Sequence, residues 1–464
     1  MKKVISVVLC VVMLLILVAG CSKSTTENAA TTAAADTTAT TAAETTTSAK
    51  EITIEYQTPS ETDMFCTAFA EYQKTHPNVK LDVAVSPNDT YNTKMLASAQ
   101  SGTVSDISWW NATQIVSAWD TGAFLDLTQY MNSTFKDRFV DGTFLLSQTS
   151  GGAYVCFPCE MQIQGFLVNT ALLAKYNLKE PATFDDAMAA AKTLRDNGIT
   201  LFGNGTGDNW PTWGWYYWLE LYGYDEEKTQ IYGTHELKFA DSSSRKAFDR
   251  LIDLKGAGAF PDNNATITYD MTCNSFLAGN CAMMTTSTDW LTSIVGTEGD
   301  LAGNYTYSFG FTFPDSKYSQ NVCVKMDGNG YCVSSKIDQD KLAVLRDFFD
   351  WFYSDAGANV VIKNGLTLPI NFKLTADVTP LVQSIVTLTA DTSRVGMITS
   401  SYKASECWNR NHDVNAQPSS DMRDMILGCV DGSITEDNLN EYLTKYDADI
   451  DIAIADFAKI SAQS

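Results

Sequence analysis

The chain has 464 residues, of which 45% are hydrophobic, so it is long enough for two or three compact domains with apolar cores. Its formal net charge is −23, from 55 acidic and 32 basic residues. Nucleic-acid binding needs clustered Lys and Arg, so this balance argues against a nucleic-acid partner. The excess of carboxylates favours solubility and would also suit a cationic ligand.

Residues 1–20 are typical of a lipoprotein signal peptide. Two lysines follow Met1, and the apolar run after them is too short to favour a permanent membrane span. Ala19 and Gly20 stand directly before Cys21, in the pattern of a bacterial lipoprotein processing site. We therefore expect Cys21 to carry a lipid that holds the mature protein on the extracellular or periplasmic side of the cell membrane. An ordinary signal peptide with a chance cysteine is the alternative.

Residues 21–50 are predicted to form a disordered tether. After the cysteine the segment reads "SKSTTENAATTAAADTTATTAAETTTSAK", which is nearly all Thr, Ala and Ser and has no large apolar residue. Such a composition buries too little apolar surface to offset the entropy lost on ordering. The folded body is therefore expected to begin near residue 51.

Strands and helices alternate from the start of this body. "EITIEYQT", residues 51–58, is predicted to be a strand, and "MFCTAFAEYQKTHP" to be a helix that ends before Pro77. Strand "VKLDVAVS", a helix closed by Gly102 and strand "VSDISWW" follow. This order predicts an α/β fold with a mostly parallel sheet covered on both faces, in which ligands bind beyond the carboxyl ends of the strands.

Nine cysteines remain when Cys10 and Cys21 are set aside, so they cannot all pair within the chain. In "VCVKMDGNGYCV" a hairpin that turns at Asp327-Gly328 would place Cys323 opposite Cys332, within disulfide distance. Two buried thiols are the alternative. The "CFPC" motif precedes a strand-like segment rather than a helix, and no second pair has ligand spacing, so neither redox chemistry nor a metal site is expected.

The order of segments resembles family 1 of the extracellular solute-binding proteins of ABC importers, the maltose-binding-protein-like group. "FAEYQKTHPNVKLDV", "MLASAQSGTVSDISWW" and "DTGAFLDLTQYM" are similar to the first lobe of that family. "AYVCFPCEMQIQGFLVN", "FLAGNCAMMTTSTDWL" and "DGNGYCVSSKIDQDKLAVLRDFF" are similar to its three crossings between lobes. The resemblance covers residues 51–464.

This resemblance implies a type II periplasmic-binding-protein fold with two hinged α/β lobes and a ligand cleft between them. The expected N-terminal lobe comprises 51–160 plus 288–332, and the C-terminal lobe 161–287 plus 333–464. A hinge of about three strands would let the lobes close on the ligand. The resemblance also implies a monomer without cofactor or catalytic activity, whose partner is an ABC permease.

A carbohydrate is the expected ligand, because aromatic and polar side chains concentrate near the predicted strand ends. Aromatic rings stack on the apolar faces of a sugar, and carboxylates, amides and arginine bind its hydroxyls. The segment "NWPTWGWYYWLELYG", 209–223, holds four tryptophans and three tyrosines, of which the inner members at helical spacing are expected to be core. Adjacent tryptophans on a strand point opposite ways, so only one of the pair at 109–110 is expected to contact ligand. The predicted ligand-binding residues are Tyr56, Glu61, Trp109, Trp110, Asn111, Glu160, Gln162, Asp208, Trp210, Trp213, Asp289, Trp290, Trp408 and Arg410.

Other functions remain open from the residues alone. The acidity suits a polyamine or peptide ligand, and a sensor subunit would need the same fold. A surface glycosidase needs two carboxylates that flank the scissile bond, for which Glu160 and Asp289 are candidates. None of the three histidines has an evident orienting partner in the sequence. Asp447, Asp449 and Asp451 begin like a calcium loop but lack its glycine, so they are expected to lie on the exposed face of a terminal helix.

Overall fold

The computed structural model describes the body of the chain from residue 50 to residue 461. Within these limits it leaves gaps at 61–62, 87, 112–113, 141–142, 145–147, 150, 206, 208–214, 216–226, 228, 289–290, 292–293, 295–302, 318–322, 328, 364, 391–394 and 398–411. The predicted signal peptide, the lipidated Cys21 and the tether lie outside the described residues.

The described residues form strands and α-helices, which alternate one by one as far as residue 119. The strands there are β1 (Ile52–Thr58), β2 (Val79–Val85), β3 (Ile107–Trp110), β4 (Phe157–Pro158), β5 (Met161–Asn169), β6 (Thr200–Phe202), β7 (Cys281–Ser287), β8 (Tyr305–Ser308), β9 (Cys323–Asp327), β10 (Gly330–Val333) and β11 (Val395–Met397). The α-helices are α1 (Met64–Tyr72), α2 (Asn88–Ser101), α3 (Ile115–Trp119), α4 (Ser133–Lys136), α5 (Thr170–Lys175), α6 (Phe184–Arg195), α7 (Lys246–Gly256), α8 (Tyr269–Leu277), α9 (Gln339–Phe352), α10 (Asp355–Ile362), α11 (Pro380–Ala390), α12 (His412–Asp431) and α13 (Leu439–Ser461). No helix in the described part of the chain is long and apolar enough to cross a membrane.

Local sequence signals set the ends of the first elements. Asp63 caps α1, because its carboxylate accepts a hydrogen bond of 2.8 Å from the backbone N–H of Cys66. Gly102 follows α2 with a φ of +67°, a left-handed conformation that favours glycine. The predicted strands and helices up to β3 are confirmed.

The first sheet has the strand order β2-β1-β3-β10-β4. β1 is parallel to β2 and β3, and β10 is antiparallel to β3 and β4. Residues of α1, α9 and α10 pack on one face of this sheet, and residues of α2 and α3 on the other. Both faces are therefore covered, as expected for an α/β lobe.

The second sheet has the order β11-β9-β5-β7-β6, and β8 also pairs with β5. Residues of α6, α7, α12 and α13 share one core with this sheet, and residues of α8 and α11 share another. The chain thus folds into two covered sheets, each with its own cores.

The predicted lobe boundaries are wrong after residue 288. β8 and β9 lie within the range 288–332 that was assigned to the N-terminal lobe, yet both pair in the second sheet. α9 and α10 lie within 333–464, yet they pack in the core of the first sheet. The reason is that the chain returns to the first sheet only after β9 and leaves it again beyond α10.

The predicted hairpin between Cys323 and Cys332 is also wrong. β9 pairs with β5 and β11 in the second sheet, whereas β10 pairs with β3 and β4 in the first. Cys332 is a buried free thiol. The segment therefore crosses between sheets instead of turning back on itself, and the alternative of a buried thiol holds for Cys332.

The carboxylates in the middle of α13 do not share one exposed face. Asp447 is buried and accepts hydrogen bonds from the backbone N–H groups of Phe239 and Ala240 at 2.7 and 3.2 Å. His235 lies between two of them, with Nε2 3.2 Å from Asp447 and Nδ1 2.6 Å from Asp451. The expectation of an exposed face is thus wrong for Asp447, which ties α13 to the 3₁₀ turn Phe239–Asp241.

Candidate functional site

Two segments of the chain pass from one sheet to the other, and they lie side by side. Pro158 pairs with Gly330 in the first sheet, and Met161 pairs with Asp327 in the second. Between these pairs, the backbone N–H at position 159 donates a 2.8 Å hydrogen bond to the carbonyl at position 329. The chain therefore passes between the sheets as an antiparallel pair of short linkers.

Two threonines brace the start of β5 beside this pair. The backbone N–H of Met161 donates to the Thr367 carbonyl at 2.9 Å, and the Thr367 hydroxyl donates to the Met161 carbonyl at 3.1 Å. The Thr288 hydroxyl also donates to the Met161 carbonyl, at 3.2 Å, and accepts from the N–H of Ile163. The ends of β7, β9 and the segment after α10 thus converge on one point between the sheets.

Glu160 lies at this junction, inside the protein. It is buried, and the side-chain amide of Asn329 donates to its Oε1 at 2.6 Å. Burial raises the pKa of the Glu160 carboxyl above 4.5, while hydrogen bonds from Cys159 and Asn329 act in the opposite direction. The two linkers are therefore joined by a titratable carboxyl as well as by their backbones.

This raised pKa predicts a pH-dependent effect of Glu160→Gln. As pH rises through 4.5, the unfolded chain releases the proton before the folded protein does, so the wild type loses stability until the folded carboxyl is also ionised. Glutamine does not titrate and can keep the bond from Asn329. We expect the free energy of unfolding of the variant, relative to wild type, to increase between a pH near 4.5 and neutral pH in urea titrations. A difference that stays constant with pH would contradict this assignment.

The two adjacent tryptophans of β3 lie in different environments. Trp110 is fully buried, its indole N–H donates to the Ser108 hydroxyl at 2.8 Å, and its ring meets the ring of Phe124 edge-on. Trp109 is half-buried and its ring centroid lies 5.6 Å from that of Tyr91. Successive residues of a strand face opposite sides, which separates the two indoles. The prediction of ligand contact is wrong for Trp110, which belongs to the core.

Tyr56 is also a core residue. It is fully buried, its ring centroid lies 4.4 Å from that of Phe65, and its hydroxyl donates to the Asp63 carboxylate. Burial raises the pKa of this phenol well above its usual value. The predicted ligand contact is wrong, because position 56 on β1 faces α1.

The structure describes two of the remaining predicted site residues and not the others. Asn111 is half-buried and follows β3 directly. The backbone of Gln162 pairs with Met326 on β9, but its side chain lies outside the described set. Other residues stay predictions because they lie outside the described residues: Glu61, Asp208, Trp210, Trp213, Asp289, Trp290, Trp408 and Arg410.

Sequence reasoning missed two polar side chains that organise the strand ends. The hydroxyl of Tyr91 lies 3.0 Å from the Gln57 carbonyl and 2.7 Å from the Trp109 carbonyl, so it joins the ends of β1 and β3. Asn204 follows β6, is buried, and accepts a 2.8 Å hydrogen bond from the backbone N–H of Thr285. The polar "GNG" after an apolar strand was a signal for Asn204, whereas nothing in the helical pattern of α2 distinguished Tyr91.

The described part of this region offers rings, amides and carboxylates. In the part of the chain that the structure describes, no group of three or more His, Cys, Asp and Glu side chains could hold a metal ion. The half-buried indole of Trp109 and the adjacent amide of Asn111 can hold a polar ligand with an apolar face by stacking and hydrogen bonding.

Comparison with known proteins gives relatives with the same organisation. An uncharacterized ABC transporter extracellular-binding protein of Pyrococcus horikoshii is 25% identical over 248 residues, which are 52% of this chain and 57% of that protein. The chain spans about half the length of the curated relatives it matches. A structure described for xylan utilization by Caldanaerobius polysaccharolyticus has a TM-score of 0.69 at 21% identity and covers 86% of this chain and 99% of its own. A chitin oligosaccharide binding protein has a TM-score of 0.68 at 18% identity, over 87% and 99%.

These structural matches confirm the two-lobed type II periplasmic-binding-protein fold. Residues 58–359 match the family described as bacterial extracellular solute-binding protein, which is well over half of the chain. The chain therefore belongs to the family of bacterial extracellular solute-binding proteins.

Proposed function

We propose that this protein is the carbohydrate-binding lipoprotein of an ABC importer. In this proposal Cys21 carries the lipid anchor, the disordered tether extends the body away from the membrane, and the two lobes close on an oligosaccharide. The closed protein then delivers the sugar to a permease. The family's extracellular location and solute-binding role support this outline.

The observation that carries the proposal is the half-buried indole of Trp109 at the carboxyl end of β3. Ligands of open α/β sheets bind beyond the carboxyl ends of the strands, and an indole face suits the apolar face of a sugar ring. Tyr91 holds this indole in place, because its ring contacts the indole edge-on and its hydroxyl donates a hydrogen bond to the Trp109 carbonyl. Asn111 follows directly and can bind hydroxyl groups.

Sugar ligands are also named for proteins of the same fold, which include the chitin oligosaccharide binding protein. Further rings of the proposed site come from residues that are predicted from the sequence alone: Trp210, Trp213, Trp290 and Trp408. Their positions after strand-like segments would place them at the same opening. The second lobe would contribute most of them, so a bound sugar would contact both lobes only when these are closed.

Closure is proposed to occur at the linkers around Glu160 and Met161. A ligand that contacts both lobes in one arrangement shifts the population toward that arrangement. The linkers are short and hydrogen-bonded to each other, so relative motion would be a rotation about this junction. Lobe closure and sugar capture are therefore a single linked equilibrium.

The first test is isothermal titration calorimetry of the protein against xylo-, chito- and malto-oligosaccharides, with spermidine and a mixed peptide pool as the rival ligands. The proposal predicts saturable binding of at least one oligosaccharide series. If only spermidine or peptides bind, the ligand is a polyamine or a peptide instead of a carbohydrate, and the solute-binding role still holds. Turnover of a chromogenic glycoside that Glu160→Gln abolishes would instead identify a glycosidase, and a kinase gene in place of a permease gene beside this one would favour a sensor subunit.

The stacking role predicts the effect of Trp109→Ala on affinity. We expect oligosaccharide binding to weaken by about 1–3 kcal/mol, by analogy with the scale for aromatic stacking on bases. Trp119→Ala is the matched control, because Trp119 is a half-buried indole of the same lobe, at the end of α3. Calorimetric titration should show a loss for Trp109→Ala and for the sequence-predicted Trp213→Ala, but none for the control. If all three variants bind the oligosaccharide as tightly as wild type does, neither Trp109 nor Trp213 contacts the sugar.

A further inference from the structure

We propose that the first lobe carries a second site, separate from the cleft, for a small molecule with a carboxylate or phosphate group. A cavity of about 330 Å³ opens between the turn Thr128–Tyr130, α4, β4 and α9. None of the predicted sugar-binding residues that the structure describes lines this cavity. Its volume lies within the usual range for small-molecule pockets, about 300–1,000 Å³.

The inner wall of this cavity is rigid and aromatic. Phe157 of β4 and Phe349 of α9 are both buried, and their rings stack with centroids 4.0 Å apart. Phe135 of α4 meets Phe157 edge-on at 6.1 Å. These rings belong to the core of the first sheet, so the cavity has a preformed floor and does not need to be opened by the ligand.

Arg346 supplies the charge that an anion requires. Its guanidinium carbon lies 4.5 Å from the ring centroid of Tyr130, which holds the exposed side chain over the opening by a cation–π contact. Among the residues that the structure describes, no carboxylate lies within ion-pair distance of Arg346. The fork of N–H donors is therefore available, and it matches the two oxygens of a carboxylate or phosphate.

Arg138 adds a second guanidinium to the same cavity. It pairs with Asp350 at 3.2 Å and donates to the Asp350 backbone carbonyl at 3.0 Å. The cavity thus contains two guanidinium groups and one carboxylate, a local positive balance in a chain whose formal charge is −23. An exposed ion pair contributes little to stability, about 0–1 kcal/mol. An anion can therefore bind Arg138 beside Asp350 at a small cost in free energy.

The polar side chains of Asn132 and Thr134 complete the outer lining. An anion on Arg346 would therefore meet further hydrogen-bonding groups at the rim, while the buried rings behind them fix the shape of the cavity. This combination selects a small polar anion and disfavours a cation or a neutral hydrocarbon. The inference is independent of what the cleft between the lobes binds.

The test is calorimetric titration of the full chain with citrate, inorganic phosphate and glycerol 3-phosphate at constant ionic strength. We expect saturable binding of at least one of these anions. Arg346→Gln should weaken it by about tenfold or more, because it removes charged hydrogen bonds. Arg346→Lys keeps the positive charge but not the fork of N–H donors, so its affinity for the anion should lie between those of wild type and Arg346→Gln. Arg423→Gln is the matched control, since Arg423 is a partly exposed arginine of α12 that pairs with Asp424 outside the cavity.

The outcomes separate the two ligand chemistries and can overturn the proposal. Binding of citrate alone identifies a carboxylate site, and binding of the phosphates alone identifies a phosphate site. Absence of saturable heat for all three anions, or an unchanged affinity in Arg346→Gln, would overturn the second site. Oligosaccharide titration of the same variants reports on the cleft separately, and we expect it to match wild type.

Discussion

Replacing Asp447 by Ala is expected to lower the free energy of unfolding by roughly 3–5 kcal/mol, the range for removing one partner from a buried charged cluster. The Asp447 carboxylate accepts from the backbone N–H groups of Phe239 and Ala240 and faces His235. Without it, the buried N–H of Phe239, the partly buried N–H of Ala240 and one imidazole nitrogen lose an acceptor. α13 would also lose its polar attachment to the turn at 239–241.

Asp451→Ala is the control for this variant. Asp451 contacts the same imidazole and Lys238, but its side chain is 60% exposed. Water can replace a contact at that position, so we expect a loss below about 1 kcal/mol. Chemical denaturation of both variants at one pH measures the difference. Similar losses in the two variants would show that burial of Asp447 is not what makes it important.

Trp110→Ala is expected to destabilise the first lobe by about 3–5 kcal/mol, the usual range for truncating a buried aromatic residue. The indole packs with Tyr91, Phe124 and Cys332 in a cluster on one face of the first sheet. Its removal leaves a large cavity and takes away the N–H partner of the Ser108 hydroxyl. The loss should appear in a denaturant titration followed by circular dichroism.

The neighbouring variant Trp109→Ala separates stability from binding. Trp109 is half-buried, so its truncation removes less buried area and should lower stability by less than Trp110→Ala does. The two variants should therefore show opposite profiles, with Trp110→Ala losing mainly stability and Trp109→Ala mainly sugar affinity. A larger stability loss in Trp109→Ala would mean that the assignment of the two faces of β3 is reversed.

Local pattern predicted the first elements well. The alternation at 51–58, the helical spacing before Pro77 and the glycine at 102 each act within a few residues, and the structure has β1, α1, β2, α2 and β3 in that order. Both sheets are covered by helices on their two faces, as the alternation of strands and helices implies.

Features set by distant partners could not be predicted in the same way. β9 and β10 alternate around a turn-like "DGNG" and look like a hairpin, yet each strand pairs with a different sheet, so the partners decide the outcome. The turn at residues 239–241 buries Asp447 although it lies more than two hundred residues away in sequence.

From the sequence, only the approximate location of the candidate site could be predicted, not which side chains face it. The carboxyl end of β3 was identified by its two tryptophans, but which indole is buried depends on how α2 and α3 pack on the sheet. Glu160 was predicted because it lies at a crossing. Its partner Asn329 comes from a segment that the family resemblance indicated as a crossing but that the local pattern indicated as a hairpin turn.

Small-angle X-ray scattering with and without saturating oligosaccharide tests the central claim most directly. If a sugar is held between two lobes that close around it, the radius of gyration should decrease on addition of the series that binds by calorimetry, and the decrease should require Trp109. A scattering profile that is unchanged at saturation with a tightly bound sugar would contradict capture by lobe closure.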